Sequence, residues 1–145
     1  MPRKLSVKYG EAPALTITRS ALQNEKLAYV ALANRKLKYR HGRSRIAYIG
    51  STRKGADRIA SSAAWKSKAL LGGYGIKQLD IHVVTCGGVP GMETWRKLER
   101  ALIIRFREKF GQAPKGNESG KNSRWGRERK YFSDTRLDKV IDGLS

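Results

Sequence analysis

Hydrophobic residues gather into two runs of strand length, LAYVALA at residues 27–33 and IAYIG at residues 46–50. Residues 34–45, which lie between the runs, are dominated by Arg and Lys and predict a basic loop. Two short apolar runs joined in this way predict a pair of neighbouring antiparallel strands.

Side chains alternate between the two faces of a strand. In the second run this rule places Ala47 and Ile49 on one face. The opposite face is expected to hold the other three residues, which are Ile46, Tyr48 and Gly50. Tyr29, from the first run, can then share a face of the sheet with Tyr48.

Beyond these strands the pattern predicts three more elements. Residues 56–71 are rich in Ala and Leu and predict a helix that ends at Gly72 and Gly73. Residues 77–85 predict a third strand, and residues 92–110 predict the clearest helix of the chain. The order β, β, α, β, α with irregular flanks predicts a mixed fold of the α/β or α+β type.

A chain of 145 residues has the length of one domain. We expect residues 1–145 to form a single domain with an N-terminal extension at residues 1–25 and a C-terminal extension at residues 118–145. The latter closes with a short segment at residues 136–144. With 39% hydrophobic residues, the chain is expected to fold around a packed core rather than to remain a disordered polycation.

The net charge of the chain indicates which class of partner it binds. Lys and Arg total 31 and Asp and Glu total 12, a net charge of +19 that favours nucleic acid. A membrane partner is not expected, because no apolar stretch approaches the ~18 residues of a spanning helix. The N-terminus lacks the apolar segment of a secretion signal, so an intracellular, cytoplasmic location is expected.

Cys86 is the only cysteine and His41 and His82 are the only histidines, which argues against a disulfide or a zinc site.

One carboxylate has an unusual position on the second predicted helix. Projection at about 100° per residue gives an apolar arc formed by Met92, Trp95, Leu98, Leu102, Ile103, Phe106 and Phe110. Glu99 falls inside this arc, whereas Glu93 and Glu108 project to the charged side. A carboxylate among apolar side chains is destabilising unless a cation, a metal ion or a hydrogen-bond donor satisfies it. Alternatively, Glu99 reaches solvent at the edge of the arc or pairs with an arginine such as Arg58.

Several segments occur in the order found in GIY-YIG nucleases, which the chain resembles over residues 27–117. They are AYV at 28–30, YIG at 48–50, Arg58 ten positions after Tyr48, Glu99 in ERALI, Pro114 and Asn117. The resemblance implies an α+β fold in which a three-stranded antiparallel sheet is flanked by helices. It also implies a metal-dependent endonuclease that hydrolyses phosphodiester bonds.

The resemblance assigns a catalytic role to each of four residues. Glu99 would hold a single divalent ion, Mg²⁺ or Mn²⁺, both of which accept oxygen ligands. Arg58 would offer a planar, permanently charged donor set to the scissile phosphate. Tyr29 or Tyr48 would act as the general base. Because a phenol has an ordinary pKa of about 10, that tyrosine needs help from nearby cations or a metal-bound water.

Three further positions leave alternatives open. Asn117 resembles the asparagine that braces the site in this family, but Asn122 is close enough in sequence to take that role. Ser62 stands four residues after Arg58, where many members carry His or Tyr; a serine can bind a phosphate oxygen but is a poor proton shuttle. His41 can reach the site from the basic loop or contact DNA.

Two basic clusters, at residues 35–45 and 124–132, predict nucleic-acid contacts because Arg and Lys neutralise backbone phosphates. Two cations shortly after Tyr48, and Ser62, are added to the residues from these clusters. The predicted contact residues are Arg35, Lys36, Lys38, Arg40, His41, Arg43, Arg45, Arg53, Lys54, Ser62, Arg124 and Arg127. The aromatic residues interleaved with the cations are expected to pack onto the core rather than to stack on bases.

The sequence therefore predicts an endonuclease that cuts DNA, expected to be double-stranded. A restriction-type or phage-encoded enzyme suits a chain without a recognisable separate DNA-reading domain. The alternative is a non-catalytic basic nucleic-acid-binding protein, either a degenerate family member or a ribosomal-type protein, and Ser62 favours this alternative. Self-association stays open.

Overall fold

The computed structural model describes residues 4–8, 10, 11, 13, 16, 25–117 and 130–145, without the side chains of residue 56 and residues 62–69. Its strands are β1 (Leu27–Tyr39), β2 (Gly42–Thr52) and β3 (Leu79–Val84), and its helices are α1 (Ala56–Gly73), α2 (Thr94–Phe110) and α3 (Asp134–Leu144). A 3₁₀ turn (Lys115–Asn117) follows α2. The described residues before Leu27 form neither helix nor strand.

The three strands form one antiparallel sheet in the order β2-β1-β3, with β1 in the centre. The predicted α+β class, a three-stranded antiparallel sheet with helices, is confirmed. β2 and β3 are edge strands, so the outer edge of β2 is open to contact from other parts of the chain. None of the described helices is both long enough and apolar enough to cross a membrane.

The prediction of a basic loop at residues 34–45 is wrong. β1 and β2 continue through this stretch and are joined by a two-residue turn, since Tyr39 pairs with Gly42. Two hydrophobic side chains, Leu37 and Tyr39, and the Ser44 side chain are buried there, while the lysines beside Leu37 and Tyr39 are exposed. The stretch thus follows the alternation of a strand with one face on the core. The cations on the exposed face obscured this alternation.

A β-bulge in β2 changes which residues share a face. Tyr48 pairs with Ala31, but the next residue of β1 pairs with Ile46, so Ala47 is an extra residue in the ladder. The expectation that Ile46 shares a face with Tyr48 is therefore wrong. Ile46 turns instead, together with Ala47, into the main core.

Different helices cover the two faces of the sheet. The main core packs one face against α2 and α3, and it also contains Leu70 near the end of α1. The opposite face carries a small second cluster of Leu27, Tyr29 and Ile59. Ile59 belongs to the first turn of α1, so the start of this helix is anchored over the tyrosine face of the sheet.

Residues 136–144, predicted only as a short closing segment, belong to helix α3. Ser133 caps the helix by accepting a hydrogen bond from a backbone N–H of its first turn (3.3 Å). Leu137 and Ile141, four residues apart on one helical face, are buried in the main core. The described part of the predicted C-terminal extension is therefore integrated into the core of the domain.

Candidate functional site

Two tyrosines lie side by side on the face of the sheet that the start of α1 covers. Tyr29 pairs with Gly50 and Tyr48 pairs with Ala31, so the rings stand diagonally on neighbouring strands. Their centroids are 5.9 Å apart at an interplanar angle of 45°, and the two side chains share a hydrogen bond. The prediction that Tyr29 and Tyr48 share a face is confirmed.

The tyrosine pair is flanked by two glycines that leave room for the rings. A Cβ added to Gly50 would lie 2.5 Å from Tyr29 Cζ and 2.8 Å from Tyr48 Cε1. A Cβ added to Gly116, in the 3₁₀ turn, would lie 2.9 Å from Tyr48 Cδ2. Carbon atoms in van der Waals contact are separated by ~3.5 Å or more. A side chain at either position would therefore displace a tyrosine.

The surroundings of Tyr48 keep its hydroxyl protonated. Burial is the main cause of its raised pKa, and the proximity of Tyr29 and the negative charge of Glu99 raise the pKa further. The neighbouring cations Arg53 and Lys54 have exposed side chains and do not reverse this effect. At neutral pH Tyr48 is therefore a hydrogen-bond donor.

Arg58 lies in the first turn of α1, beside the tyrosine pair. Its neighbour Ile59 packs against Leu27 and Tyr29, which fixes the start of α1 over this face. The Arg58 side chain is exposed, and its guanidinium forms no hydrogen bond or ion pair with any residue that the structure describes. The alternative in which Arg58 pairs with Glu99 is thus wrong, and the guanidinium is available to an anion.

Glu99 approaches the sheet from the second turn of α2. Its Oε2 accepts a hydrogen bond from the Ser51 hydroxyl (2.5 Å), and no residue in the described ranges donates one to Oε1. Burial raises the pKa of Glu99, although Ser51 and the nearby cations Arg100 and Arg96 counteract part of this shift. The hydrogen-bond donor that its helical position requires is therefore Ser51.

The buried arc of α2 is narrower than predicted. It comprises Leu98, Ala101, Leu102, Ile103 and Phe106. Met92 precedes the helix and bridges to Val89, while Trp95 is only partly buried and lies 5.1 Å from the Lys26 ammonium. Glu99, one turn after Trp95, therefore sits at the boundary between core and solvent, where burial is incomplete and a ligand can reach it.

Glu99 and the tyrosines meet at the edge of β2. Ser51 and Tyr48 point to opposite faces of this strand, so Glu99 and the tyrosine pair approach its edge from opposite sides. The charge of Glu99 nevertheless acts on the Tyr48 hydroxyl.

Asn117 clamps the same edge. Its Oδ1 accepts a hydrogen bond from Ile49 N (2.9 Å), and its Nδ2 donates one to Ile49 O (2.8 Å). The amide thus pairs with β2 as a further strand would. Because Ile49 follows Tyr48, the clamp holds the backbone that carries this tyrosine. Asn117 is therefore a positioning residue, and the competing Asn122 lies outside the described residues.

Replacement of Asn117 by Ala is expected to lower the free energy of unfolding by about 1–3 kcal/mol, because both polar groups of Ile49 lose their partner. Urea unfolding measures this change. Asn34→Ala is the control, because the Asn34 amide accepts a bond from Lys77 N (3.2 Å) in an exposed setting. Equal stability of the two variants would contradict the clamp.

The oxygen donors around Glu99 suit one hard cation rather than a protein cage. Within the part of the chain that the structure describes, no three His, Cys, Asp and Glu side chains form a cluster. Glu93, two turns before, is engaged by Arg96 (2.9 Å). Oε1 of Glu99 has no described donor, and burial destabilises its charge. A divalent ion whose remaining ligands are water and phosphate oxygens fits this setting.

The raised pKa of Glu99 predicts a pH dependence of stability. A carboxyl whose pKa is higher in the folded than in the unfolded state destabilises the folded state once it ionises. The resulting loss in the free energy of unfolding grows as pH rises through the folded pKa. Glu99→Gln removes this loss, so its melting temperature should exceed that of the wild type more at about pH 8 than at about pH 4. Calorimetry at both pH values measures the difference.

Glu93→Gln provides the control for this pH dependence. The hydrogen bond from Arg96 lowers the pKa of Glu93, so ionised Glu93 stabilises the fold above the ordinary carboxyl range. The wild type should therefore gain, not lose, stability relative to Glu93→Gln as pH rises. The same sign for both variants would contradict the assigned environment of Glu99.

Two of the predicted DNA contacts have structural roles. Arg45 Nε donates a hydrogen bond to Ala33 O (3.0 Å), and Arg45 is only partly exposed. Arg35 Nη2 donates one to Tyr74 O (2.7 Å) but keeps an exposed side chain. The other exposed cations of this prediction on the strands and the loop after β2 are Lys36, Lys38, Arg43, Arg53 and Lys54.

Arg40 and His41 form the hairpin turn, which docks on the end of α2. His41 N donates a hydrogen bond to Phe110 O (3.1 Å). Gly111 ends α2 with φ of +77°, and a Cβ there would lie 2.9 Å from His41 Nδ1. Glu99 is about three helical turns away along α2. His41 therefore does not reach the candidate site, and a contact with DNA stays its prediction.

Ser62 lies in α1 one turn after Arg58, but its side chain is not among those described. Arg124, Arg127 and Trp125 lie outside the described residues. Of the remaining aromatics near the basic clusters, Tyr39 is buried and Phe132 packs against the main core, as predicted. Tyr131 differs, since 45% of it is exposed and the Lys97 ammonium lies 4.9 Å from its ring.

Sequence reasoning missed Ser51 and the 3₁₀ turn. Ser51 directly follows the second apolar segment, and extension of the alternation by one residue places it opposite to Tyr48, so a usable signal was present. Gly116 and its contact with Tyr48 had no comparable signal, because the two residues are distant in sequence.

The arrangement brings two hydroxyls, one carboxylate and one guanidinium to the edge of β2 and the adjoining start of α1. These groups can donate hydrogen bonds, bind a cation and bind an anion. No protein-family model, curated protein or solved structure matches this chain.

Proposed function

We propose that this protein is a metal-dependent endonuclease of the GIY-YIG type that hydrolyses phosphodiester bonds in double-stranded DNA. The observation that carries the proposal is the contact of three distant segments at the edge of β2. There the negative charge of Glu99 contributes to the raised pKa of Tyr48, and the Asn117 amide holds the backbone beside this tyrosine. These are the residues on which the resemblance to that family rests.

In this proposal each side chain acts on the scissile phosphate or on the attacking water. The exposed guanidinium of Arg58 binds two phosphoryl oxygens and stabilises the charge that develops on them. Glu99 would hold the divalent ion, and the chemistry that this ion would supply is neutralisation of phosphate charge and activation of water. The hydrogen-bonded pair of Tyr29 and Tyr48 would orient the attacking water.

The general base is the tyrosine pair taken as one unit. The hydrogen bond with Tyr29 raises the pKa of Tyr48, so Tyr48 keeps its proton and donates it to the Tyr29 oxygen. The Tyr29 oxygen is then the group of the pair that takes the proton of the attacking water. Neutralisation of the Glu99 charge removes one of the causes that raise the pKa of Tyr48, whereas burial, the largest cause, remains.

Charge supports nucleic acid as the substrate class. The net charge of +19 produces long-range attraction to a polyanion. Exposed cations line both the hairpin and the loop after β2, and both segments belong to or directly follow the strand that carries Tyr48. Duplex DNA offers phosphates along both paths.

A second candidate is a non-catalytic nucleic-acid-binding protein. The observation that favours it is the raised pKa of Tyr48, whose hydroxyl is satisfied by Tyr29 as in an ordinary structural pair. In that case the +19 charge binds nucleic acid and Glu99 is a boundary carboxylate bonded to Ser51.

Cleavage of a supercoiled plasmid separates the two candidates. Purified protein with Mg²⁺ is expected to convert the plasmid to nicked or linear forms, and chelation of the metal should stop the conversion. A parallel series with Mn²⁺ and with single-stranded and branched DNA covers other substrates. Retarded migration without strand breaks on every substrate would reject the nuclease and leave the binding protein.

A further inference from the structure

A basic pocket lies away from Glu99, between the hairpin, the end of α1 and the 3₁₀ turn. It encloses about 510 Å³, and its polar walls are formed by Arg35, Lys36, Lys38, Arg43, Lys115 and Tyr74. Five of these side chains are cations, and none of the described residues that line the pocket carries a carboxylate. We call it the hairpin pocket.

Two of the cations are held in place by the fold. Arg35 Nη2 donates a hydrogen bond to Tyr74 O (2.7 Å). Lys115 Nζ lies 5.1 Å from the Tyr39 ring centroid and 5.9 Å from that of Tyr74, and Lys115 N donates a bond to the Tyr39 hydroxyl (3.1 Å). These positions are preorganised, so an anion that enters the pocket orders few side chains.

Two of the other cations, Lys38 and Arg43, destabilise the hairpin by their mutual repulsion. Lys38 pairs directly with Arg43 across the two strands. Like charges in directly opposite positions of an antiparallel pair are destabilising. Because no carboxylate among the described lining residues offsets this repulsion, a bound anion would relieve it.

We propose that the hairpin pocket binds a second, non-scissile phosphate of the nucleic-acid strand on which the protein acts. This inference rests on the proposed function for its substrate. A strand fits better than a free nucleotide, because the apolar walls that the described residues provide are Leu37 and the Tyr74 ring, which is engaged by Lys115. These described walls leave no open ring on which a base can stack, whereas phosphates need only the cations.

The pocket is connected to the candidate site by three consecutive residues. Lys115 lines the pocket, the backbone of Gly116 packs against Tyr48, and Asn117 clamps Ile49. A phosphate held by Lys115 therefore sets the position of the strand relative to the tyrosine pair. Loss of the pocket should raise KM for DNA and leave kcat nearly unchanged.

The test is metal-free binding of a short duplex over a range of salt concentrations. The double variant Lys38→Gln/Arg43→Gln removes two pocket cations and the opposed charges, so its melting temperature should equal or exceed that of the wild type. The control, Arg136→Gln/Lys139→Gln, removes two exposed cations from α3 and changes net charge equally. Fluorescence anisotropy in EDTA measures both variants beside the wild type.

The pocket variant should bind the duplex about tenfold more weakly and lower the magnitude of the salt slope by about one to two units, because the slope scales with the number of phosphates that the protein neutralises. The control should keep the slope of the wild type. Equal slopes for the two variants would overturn the proposal. So would competition by ATP at concentrations below the duplex Kd, because the pocket would then prefer a free nucleotide.

Failure of this inference is distinguishable from failure of the nuclease proposal. A protein that never cleaves but shows the slope difference keeps the phosphate site and loses only the enzymatic role. A protein that cleaves while the pocket variant matches the control in slope and KM keeps the enzymatic role and loses the phosphate site.

Discussion

Replacement of Glu99 by Gln is expected to lower the rate of plasmid cleavage by roughly 10²–10³-fold or more. Gln retains the shape and an acceptor for the Ser51 hydroxyl, so the helix and the Ser51 contact persist. The variant lacks the negative charge that binds the divalent ion. Binding of duplex DNA should be equal or tighter, because removal of a carboxylate weakens repulsion of phosphate. Gel quantification of cleavage and metal-free anisotropy measure the two effects.

Glu93→Gln is the matched control for this experiment. It makes the same chemical change at the residue that precedes α2, but its side chain is exposed and paired with Arg96 (2.9 Å). Cleavage by this variant should stay close to that of the wild type. Comparable activity of Glu99→Gln and the wild type would remove Glu99 from the site, and an equal loss in both variants would point to general electrostatics.

Replacement of Gly50 by Ala is expected to have the largest effect on the tyrosine pair. The new methyl would lie 2.5 Å from Tyr29 Cζ and 2.6 Å from its hydroxyl oxygen, so the ring must move. Tyr29 is only 3% exposed and has little room to do so. We expect the free energy of unfolding to fall by about 1–3 kcal/mol, as in other overpacked cores, and cleavage to fall with it.

Gly72→Ala is the control for the glycine experiment. Gly72 lies in α1, and a Cβ there meets nothing within 4 Å. Ala in a helix is favoured over Gly by about 0.5–1 kcal/mol, so this variant should be more stable than the wild type and equally active. Urea unfolding and plasmid cleavage are measured on both variants. A stable, active Gly50→Ala would contradict the described packing of the tyrosines.

The two experiments address different parts of one arrangement. Glu99→Gln changes charge with little change of shape, whereas Gly50→Ala changes shape without a change of charge. If both abolish cleavage, the carboxylate and the tyrosine pair act together at the edge of β2. The stability of the Glu99 and Glu93 variants, measured without substrate, should depend on pH in opposite directions. That result would show that the environment of Glu99 is a property of the fold and does not require DNA.

The sequence by itself determined the order of the central elements and two features of the site. Side-chain alternation put Tyr29 and Tyr48 on one face, and helical projection singled out Glu99 from Glu93 and Glu108. Both patterns are periodic and depend only on residues of the same segment, so they can be recognised without knowing which strand or helix packs against it. The length of the hairpin and the face of Ile46 were predicted wrongly, because strand pairing and a bulge depend on register.

Tertiary structure alone decided what these side chains experience. The hydrogen bond from Ser51 to Glu99 joins residues 48 positions apart, and that between Asn117 and Ile49 spans 68 positions. The raised pKa of Tyr48 and the hairpin pocket likewise arise from segments that only folding brings together. Burial and charge act through space, so a sequence pattern can indicate which residues are unusual while the packed chain sets their chemistry.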